Sequence, residues 1–175
     1  MTAAGDKATI EVTRTYVQML HPDELRPSTS PQPGIRIERV DHCSAELYRF
    51  LYGEVGRQYH WFDRRDWTDE QIDRHLAQDT VSIWMMRDGE TPAGFFELVR
   101  WPDGSVEIGY FGLLPDFLGR GLGKHMLTAA VKEMWRMGAN RVWLHTCTLD
   151  HPSALPNYLK RGFKGFKKEK YVVEK

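Results

Sequence analysis

Three glycines at alternate positions, Gly119, Gly121 and Gly123, stand between a strand-like run and a helix-like run, and this arrangement constrains the fold more than any other feature of the chain. The segment reads Leu118-Gly119-Arg120-Gly121-Leu122-Gly123-Lys124. Val106 to Leu114 before it reads as a strand. After it, Leu122, Met126, Ala130, Met134 and Met137 recur every three or four residues, which marks the core face of a helix that Gly138 closes. Glycine lets backbone approach a ligand closely, and the first N–H groups of a helix lack intrahelical partners and attract anions. A strand, a glycine loop and a helix in that order make a phosphate cradle. The lysine and serine or threonine of a nucleoside-triphosphate loop are not in their required order, and the spacing of a dinucleotide fingerprint is absent.

With 175 residues the chain is long enough for one domain with a proper core. Its formal net charge is zero, so no global field recruits nucleic acid or an anionic membrane. No apolar run approaches the ~20 residues of a membrane span. Met1 to Val12 carries Asp6, Lys7 and Glu11 and no apolar stretch, so it does not read as a secretory signal. Cys43 and Cys147 are too few and too far apart to indicate a disulfide framework or a metal site. The expectation is a cytoplasmic protein that binds no metal.

Further signals divide the rest. Ile10 to Met19 is rich in β-branched residues and reads as a strand. Pro22 and the stretch from Pro27 to Pro33 then break the chain, so residues 1–34 read as an N-terminal extension with a Pro/Ser-rich connector, supplying an added edge strand or a dimer arm. Ile35 to Val40 alternates as a strand does. Ala45 to Val55 and Asp69 to Gln78 read as helices, the second capped by Thr68 with Gln71 in the capping-box position. Three strands follow as a meander, Val81–Arg87, Ala93–Arg100 and Ser105–Leu114, with turn signals at Asp88-Gly89 and Pro102-Asp103-Gly104. Arg141 to Cys147 is a strand, Pro152 to Arg161 a short helix, and Phe163 to Val173 holds one or two closing strands. The fold class is α/β: a central mixed, mostly antiparallel sheet flanked by helices, over residues 35–175.

The glycine loop, Glu107 on the strand before it, and His151-Pro152-Ser153-Ala154, Tyr158 and Gly162-Phe163 after it together resemble the GNAT superfamily of acyl-CoA N-acyltransferases. The loop is similar to that family's pyrophosphate-binding motif, and His151 to Phe163 to its second motif. The resemblance implies a GNAT-like fold and acetyl-CoA as co-substrate. It implies that Gly119, Arg120, Gly121, Leu122, Gly123 and Lys124 hold the pyrophosphate, and that Phe111, Gly112 and Leu113 pair their backbone with the pantetheine arm. Gly109 and Gly112 inside a strand suggest a bulge or a close ligand approach, and such a bulge would open a cofactor slot. Two positions depart from the family. Leu118 stands where Arg or Gln is usual, and His151 replaces the asparagine that commonly begins the second motif, with its cofactor contact carried over.

N-acetylation needs a base to deprotonate an amine whose pKa is near ~10, and a donor for the departing thiolate. The resemblance puts Glu107 in the base role and Tyr158 in the acid role. On an alternating strand Glu107 shares a face with Gly109 and Phe111. Pro156, two residues before Tyr158, kinks the short helix or marks its true start. Tyr48, Tyr52, Tyr59, His60, Trp61, Phe62 and Trp67 form an aromatic region that serves helix packing or, with Asp63 and Asp66, attracts a cationic amine. His60 and His145 read as structural. Lys164, Lys167, Lys168 and Lys170 read as a solvated strand face or a binding surface for the adenosine 3′-phosphate. The expected function is acetyl transfer from acetyl-CoA to a primary amine of a small-molecule or amino-acid-like acceptor, by direct attack in a ternary complex. The competing readings are a peptide or protein N-acetyltransferase and a non-catalytic acyl-CoA-binding module.

Overall fold

Short-range capping fixes the first two helices. The Ser44 hydroxyl accepts from the N–H of Leu47 at the start of α1 (Ala45–Gly56). Thr68 and Gln71 form the expected reciprocal capping box at the start of α2 (Asp69–Leu76), with bonds of 2.8 and 3.2 Å. In this computed structural model, which describes residues 7–175, these helices cover part of one face of a seven-stranded sheet. The reading of the chain's start as no secretory signal falls partly on residues 1–6, which lie outside the described residues.

The strands are β1 (Thr9–Met19), β2 (Ile35–Arg39), β3 (Val81–Asp88), β4 (Thr91–Arg100), β5 (Ser105–Leu113), β6 (Arg141–Cys147) and β7 (Lys164–Glu174). Two more helices complete the chain, α3 (Leu122–Arg136) and α4 (Ala154–Lys160). Sheet order is β2-β3-β4-β5-β6-β1-β7, and every pairing is antiparallel except β5 with β6. Ile83, Met85 and Phe95 face α1 and α2, whereas Phe96, Leu98, Val106, Ile108 and Leu144 share a core with α3.

The N-terminal strand is neither an edge strand nor a dimer arm. β1 lies inside the sheet, paired with β6 on one side and β7 on the other, so that Arg14 stands opposite both Cys147 and Glu169. Its Val12, Val17 and Met19 are fully buried. Such a face must be covered, and an interior position gives both strand edges backbone partners. The connector that follows is also fastened. Ser28 N–H donates to Thr128 Oγ1 at 3.0 Å, Ser30 N–H to His125 Nδ1 at 3.2 Å, and Gln32 Nε2 to the Arg120 carbonyl at 2.9 Å. Residues 26–32 thus run along α3 to the glycine loop.

The sheet opens where β5 leaves β6. Their pairing covers only Ser105–Glu107 against Arg141–Trp143. On the other side Glu97 pairs with Tyr110 and Leu98 with Ile108, which leaves Gly109 unpaired as a bulge. A bulge bends its strand and increases the local twist, and beyond this point β5 and β6 diverge.

Candidate active site

The divergence makes a cleft of about 1510 Å³ that runs between β5 and β6, from the start of α3 to the loop between α1 and α2. That exceeds the ~300–1,000 Å³ of an ordinary small-ligand pocket.

One end is built for an anion. Gly119 and Gly121 have φ of +79° and +74°, a left-handed conformation that favours glycine, and Gly121 is the N-cap of α3. The turn leaves the N–H groups of Leu122, Gly123 and Lys124 at the free start of a helix. Gly123 has a different reason to be glycine. A Cβ there would meet nothing closer than Asn157 Nδ2 at 3.9 Å and Leu113 Cδ1 at 4.0 Å, so it would project into the cleft. Lys124, Lys160 and Arg161 line the same end, with Ser28 of the connector.

Two loop residues do not present side chains to the cleft. The Arg120 guanidinium turns away to Asp88 at 3.1 Å and to Gln32 Oε1 at 2.9 Å, and lies over the Phe117 ring. The Leu122 side chain is fully buried in the core. The lysine run of β7 serves the solvated face: Lys164, Lys167 and Lys170 pair with Glu24, Glu169 and Glu11. Asn157 was not anticipated from the sequence. The cue is a polar residue beside Tyr158 on a helix too short to bury both.

The middle of the cleft carries Phe111, Gly112, Leu113 and Tyr158. Tyr158 is buried, with its ring 6.1 Å from that of Phe111 and 6.2 Å from that of Phe163. Pro156 sits in the first turn of α4, where a missing N–H costs no intrahelical bond, and it does not turn Tyr158 away. Burial, reinforced by Asp150, holds the phenol well above its ordinary range, so it stays protonated and able to donate. Gly112 is required by packing. A Cβ there would fall 2.3 Å from Val55 Cγ1 of α1. His151 lies exposed at the rim, its Nδ1 accepting the Ser153 N–H at 3.0 Å and its ring 6.2 Å from that of Tyr59.

The third part holds Glu107, and the bulge corrects its facing. Beyond Gly109 the alternation shifts, so Glu107 shares the α1/α2 face with Tyr110, while Phe111 packs into the α3 core. Glu107 lines the cleft, half-buried. Burial pushes its carboxyl up to about 7. The charge of Glu97 adds to this, and Trp101 and Arg64 oppose it.

Sequence reasoning passed over Glu97, Arg64 and His75. Glu97 is fully buried, yet its carboxylate takes two bonds from Arg64 Nη1, at 2.8 and 2.9 Å, one from the Tyr48 hydroxyl at 3.0 Å, and lies 3.3 Å from His75 Nε2. Arg64 Nη1 also contacts the Tyr48 hydroxyl, and the guanidinium lies over the rings of Trp67 and Tyr110, 4.9 and 4.7 Å from their centroids. The aromatic region divides between two tasks. Tyr48, Tyr52 and Trp67 pack against the sheet, while Tyr59, His60, Phe62 and Trp61 line the cleft with Asp63. Asp66 does not reach it.

Comparison with known proteins places this geometry in context. Residues 46–163 match the model of the acetyltransferase (GNAT) family. A mycothiol acetyltransferase of Corynebacterium efficiens is 29% identical over 112 residues, covering 60% of this chain and 36% of that protein. A GCN5-related N-acetyltransferase from Sphaerobacter thermophilus superposes with a TM-score of 0.70 at 17% identity, over 94% of this chain and 52% of that one. An aminoglycoside acetyltransferase from an uncultured soil metagenomic sample, solved with trehalose, superposes with a TM-score of 0.61 at 15% identity, over 73% of this chain and 87% of that one. The chain therefore spans about a third of the length of the curated relative.

Proposed function

The chain belongs to the acetyltransferase (GNAT) family, and on that premise we propose that it moves the acetyl group of acetyl-CoA to a primary amine of a small-molecule or amino-acid-like acceptor. The observation that carries this reading is the continuity of the cleft. A helix start with free N–H groups stands at one end, a raised carboxyl at the other, and a protonated phenol lies between them. The open space at Gly123 fits a pyrophosphate, and the diverging edge of β5 fits an amide-rich pantetheine arm.

The chemistry follows from the placement. The acceptor enters from the α1/α2 side as an ammonium, drawn by Asp63 and Glu107. Glu107, once ionised, takes a proton directly or through one water, and the neutral amine attacks the thioester carbonyl. When the tetrahedral adduct collapses, its nitrogen loses the second proton to water, the C–S bond breaks and the Tyr158 hydroxyl gives its proton to the sulfur. Glu107 passes its proton to water, and Tyr158 regains one from the same source. The products are an acetamide and CoA. A small acceptor suits a cleft walled by Tyr59, Trp61 and Phe62, and the structural similarity to an aminoglycoside acetyltransferase supports that class.

Incubation with acetyl-CoA and a panel of amino sugars, amino acids and short peptides tests the reading, with thiol release and product mass as readouts. Amine-dependent thiol release with an acetylated product is expected. Binding of acetyl-CoA without release for any amine would favour a non-catalytic acyl-CoA-binding module.

A further inference from the structure

Glu97 is a fully buried carboxylate at the edge of the cleft with three polar neighbours, Arg64, Tyr48 and His75, and the chemistry above makes no use of it. Taking an ion out of water costs several kcal/mol even after relaxation, and a buried ion pair is weak evidence for stability. The shape of the sheet is adapted to this charge. Gly109 is the bulge residue, and a Cβ there would lie 3.0 Å from Glu97 Oε2, so the carboxylate lies against the bulge itself. Val99 stands opposite Glu107 in the register, which places Glu97 and Glu107 on the same face as diagonal neighbours.

We propose that Glu97, clamped by Arg64, His75 and Tyr48 against the Gly109 bulge, is a positioning residue that governs when Glu107 gives up its proton at the acceptor end of the cleft. The proposal rests on the reading of Glu107 as the base. The two carboxyls lie in opposite environments. Burial opposes ionisation of Glu97, but the bonds and charges of His75 and Arg64 outweigh it and hold its carboxyl below the usual range. Glu107 has no such clamp: burial is the largest influence raising its carboxyl, and the fixed anion on the same face adds to it. A pair arranged this way keeps Glu107 uncharged until near neutrality, where it can still accept a proton from an amine. The charged and titratable groups that line the cleft along with Glu107 come from several elements: Glu97 on β4, Arg64 and Asp63 in the α1–α2 loop, His75 on α2, Tyr110 on β5, His145 and Cys147 on β6, Arg14 on β1, and Tyr171 on β7. Of the charges among them, Glu97 and Arg64 act on Glu107 with opposite sign.

The test is carbon-detected NMR titration of the glutamate carboxyls, which needs neither acceptor nor turnover. In the wild-type protein Glu107 is expected to titrate at about 7, with Glu97 ionised throughout that range. Glu97→Gln keeps the shape and removes the charge, and it should lower the Glu107 titration toward the ordinary 4.5. Arg64→Gln should raise it where the same spectra show Glu97 still ionised. The opposite signs separate charge coupling from general loosening, which moves both in one direction. If Glu97→Gln does not fold, Arg64→Gln and the wild-type titration decide the matter. An unmoved Glu107 in a folded variant, or a Glu97 that protonates together with Glu107, overturns the proposal. Should the charge coupling hold while Glu107→Gln retains full activity, the base assignment fails and the coupling stands.

Discussion

Gly123 separates ligand binding from folding more cleanly than any other position in the loop. It is the second residue of α3, its φ is ordinary, and the space beside it holds no atom closer than 3.9 Å. Replacement by alanine therefore meets no clash. It should instead stabilise the helix, since glycine is ~1 kcal/mol less favourable than alanine in a helix. For a domain of this size that corresponds to a rise in Tm of ~2–4 °C. The same methyl group projects into the space where the pyrophosphate is proposed to sit, against the N–H groups of the helix start. A hydrogen bond to a charged group contributes ~1.5–3 kcal/mol, so losing one weakens acetyl-CoA binding roughly 10–100-fold. Gly123→Val, with more bulk, should bind more weakly still. Thermal melting and titration calorimetry on the two variants give both numbers. A folded Gly123→Val protein that binds acetyl-CoA with wild-type affinity would refute the placement of the phosphates. Gly121→Val is a poorer probe, because its φ of +74° adds backbone strain.

Glu107→Gln should lower turnover by ~10²–10⁴-fold and remove the acidic limb expected for the wild-type rate near pH 7. It should also raise Tm above pH 7. The folded-state value of Glu107, about 7, lies above its ordinary 4.5, so the wild-type fold is penalised where the carboxyl is forced to ionise, and the difference should vanish below pH 4.5 in matched melts. Tyr158→Phe should leave acetyl-CoA affinity unchanged while turnover falls, and the loss should shrink with a thioester donor of lower thiol pKa; equal losses for all donors would sink the acid role. Gly162→Ala should lose most of its soluble folded protein, because its Cβ would fall 2.0 Å from the Glu24 carbonyl oxygen at a φ of +107°. Circular dichroism of the refolded variant checks this.

Local signals in the chain were strong enough to place most elements. The α2 capping box, the apolar stripe of α3 and the turn at Asp88-Gly89 are short-range features that tertiary structure did not override. The glycine loop was legible because glycine at Gly119 and Gly121 answers a backbone requirement that few other residues meet. What the sequence concealed depends on pairing between distant segments. Nothing in residues 9–19 says that the strand lies between β6 and β7, since an apolar face suits an edge or an interior equally. The facing of Phe111 changed because one unpaired residue at Gly109 shifts the alternation behind it. Arg120 looked like a phosphate ligand, but Asp88 and Gln32, far away in the chain, claim its guanidinium. Glu97 was invisible as a charged residue inside an apolar run, Phe95-Phe96-Glu97-Leu98-Val99, because its partners come from α1, α2 and the loop between them.

A crystal structure with acetyl-CoA bound tests the central claim most directly. The account predicts the pyrophosphate on the N–H groups of Leu122, Gly123 and Lys124. It places the thioester sulfur within hydrogen-bond reach of the Tyr158 hydroxyl, and the carbonyl carbon on the path toward Glu107. A pyrophosphate bound elsewhere, or a thioester on the far side of β5 from Glu107, would contradict it.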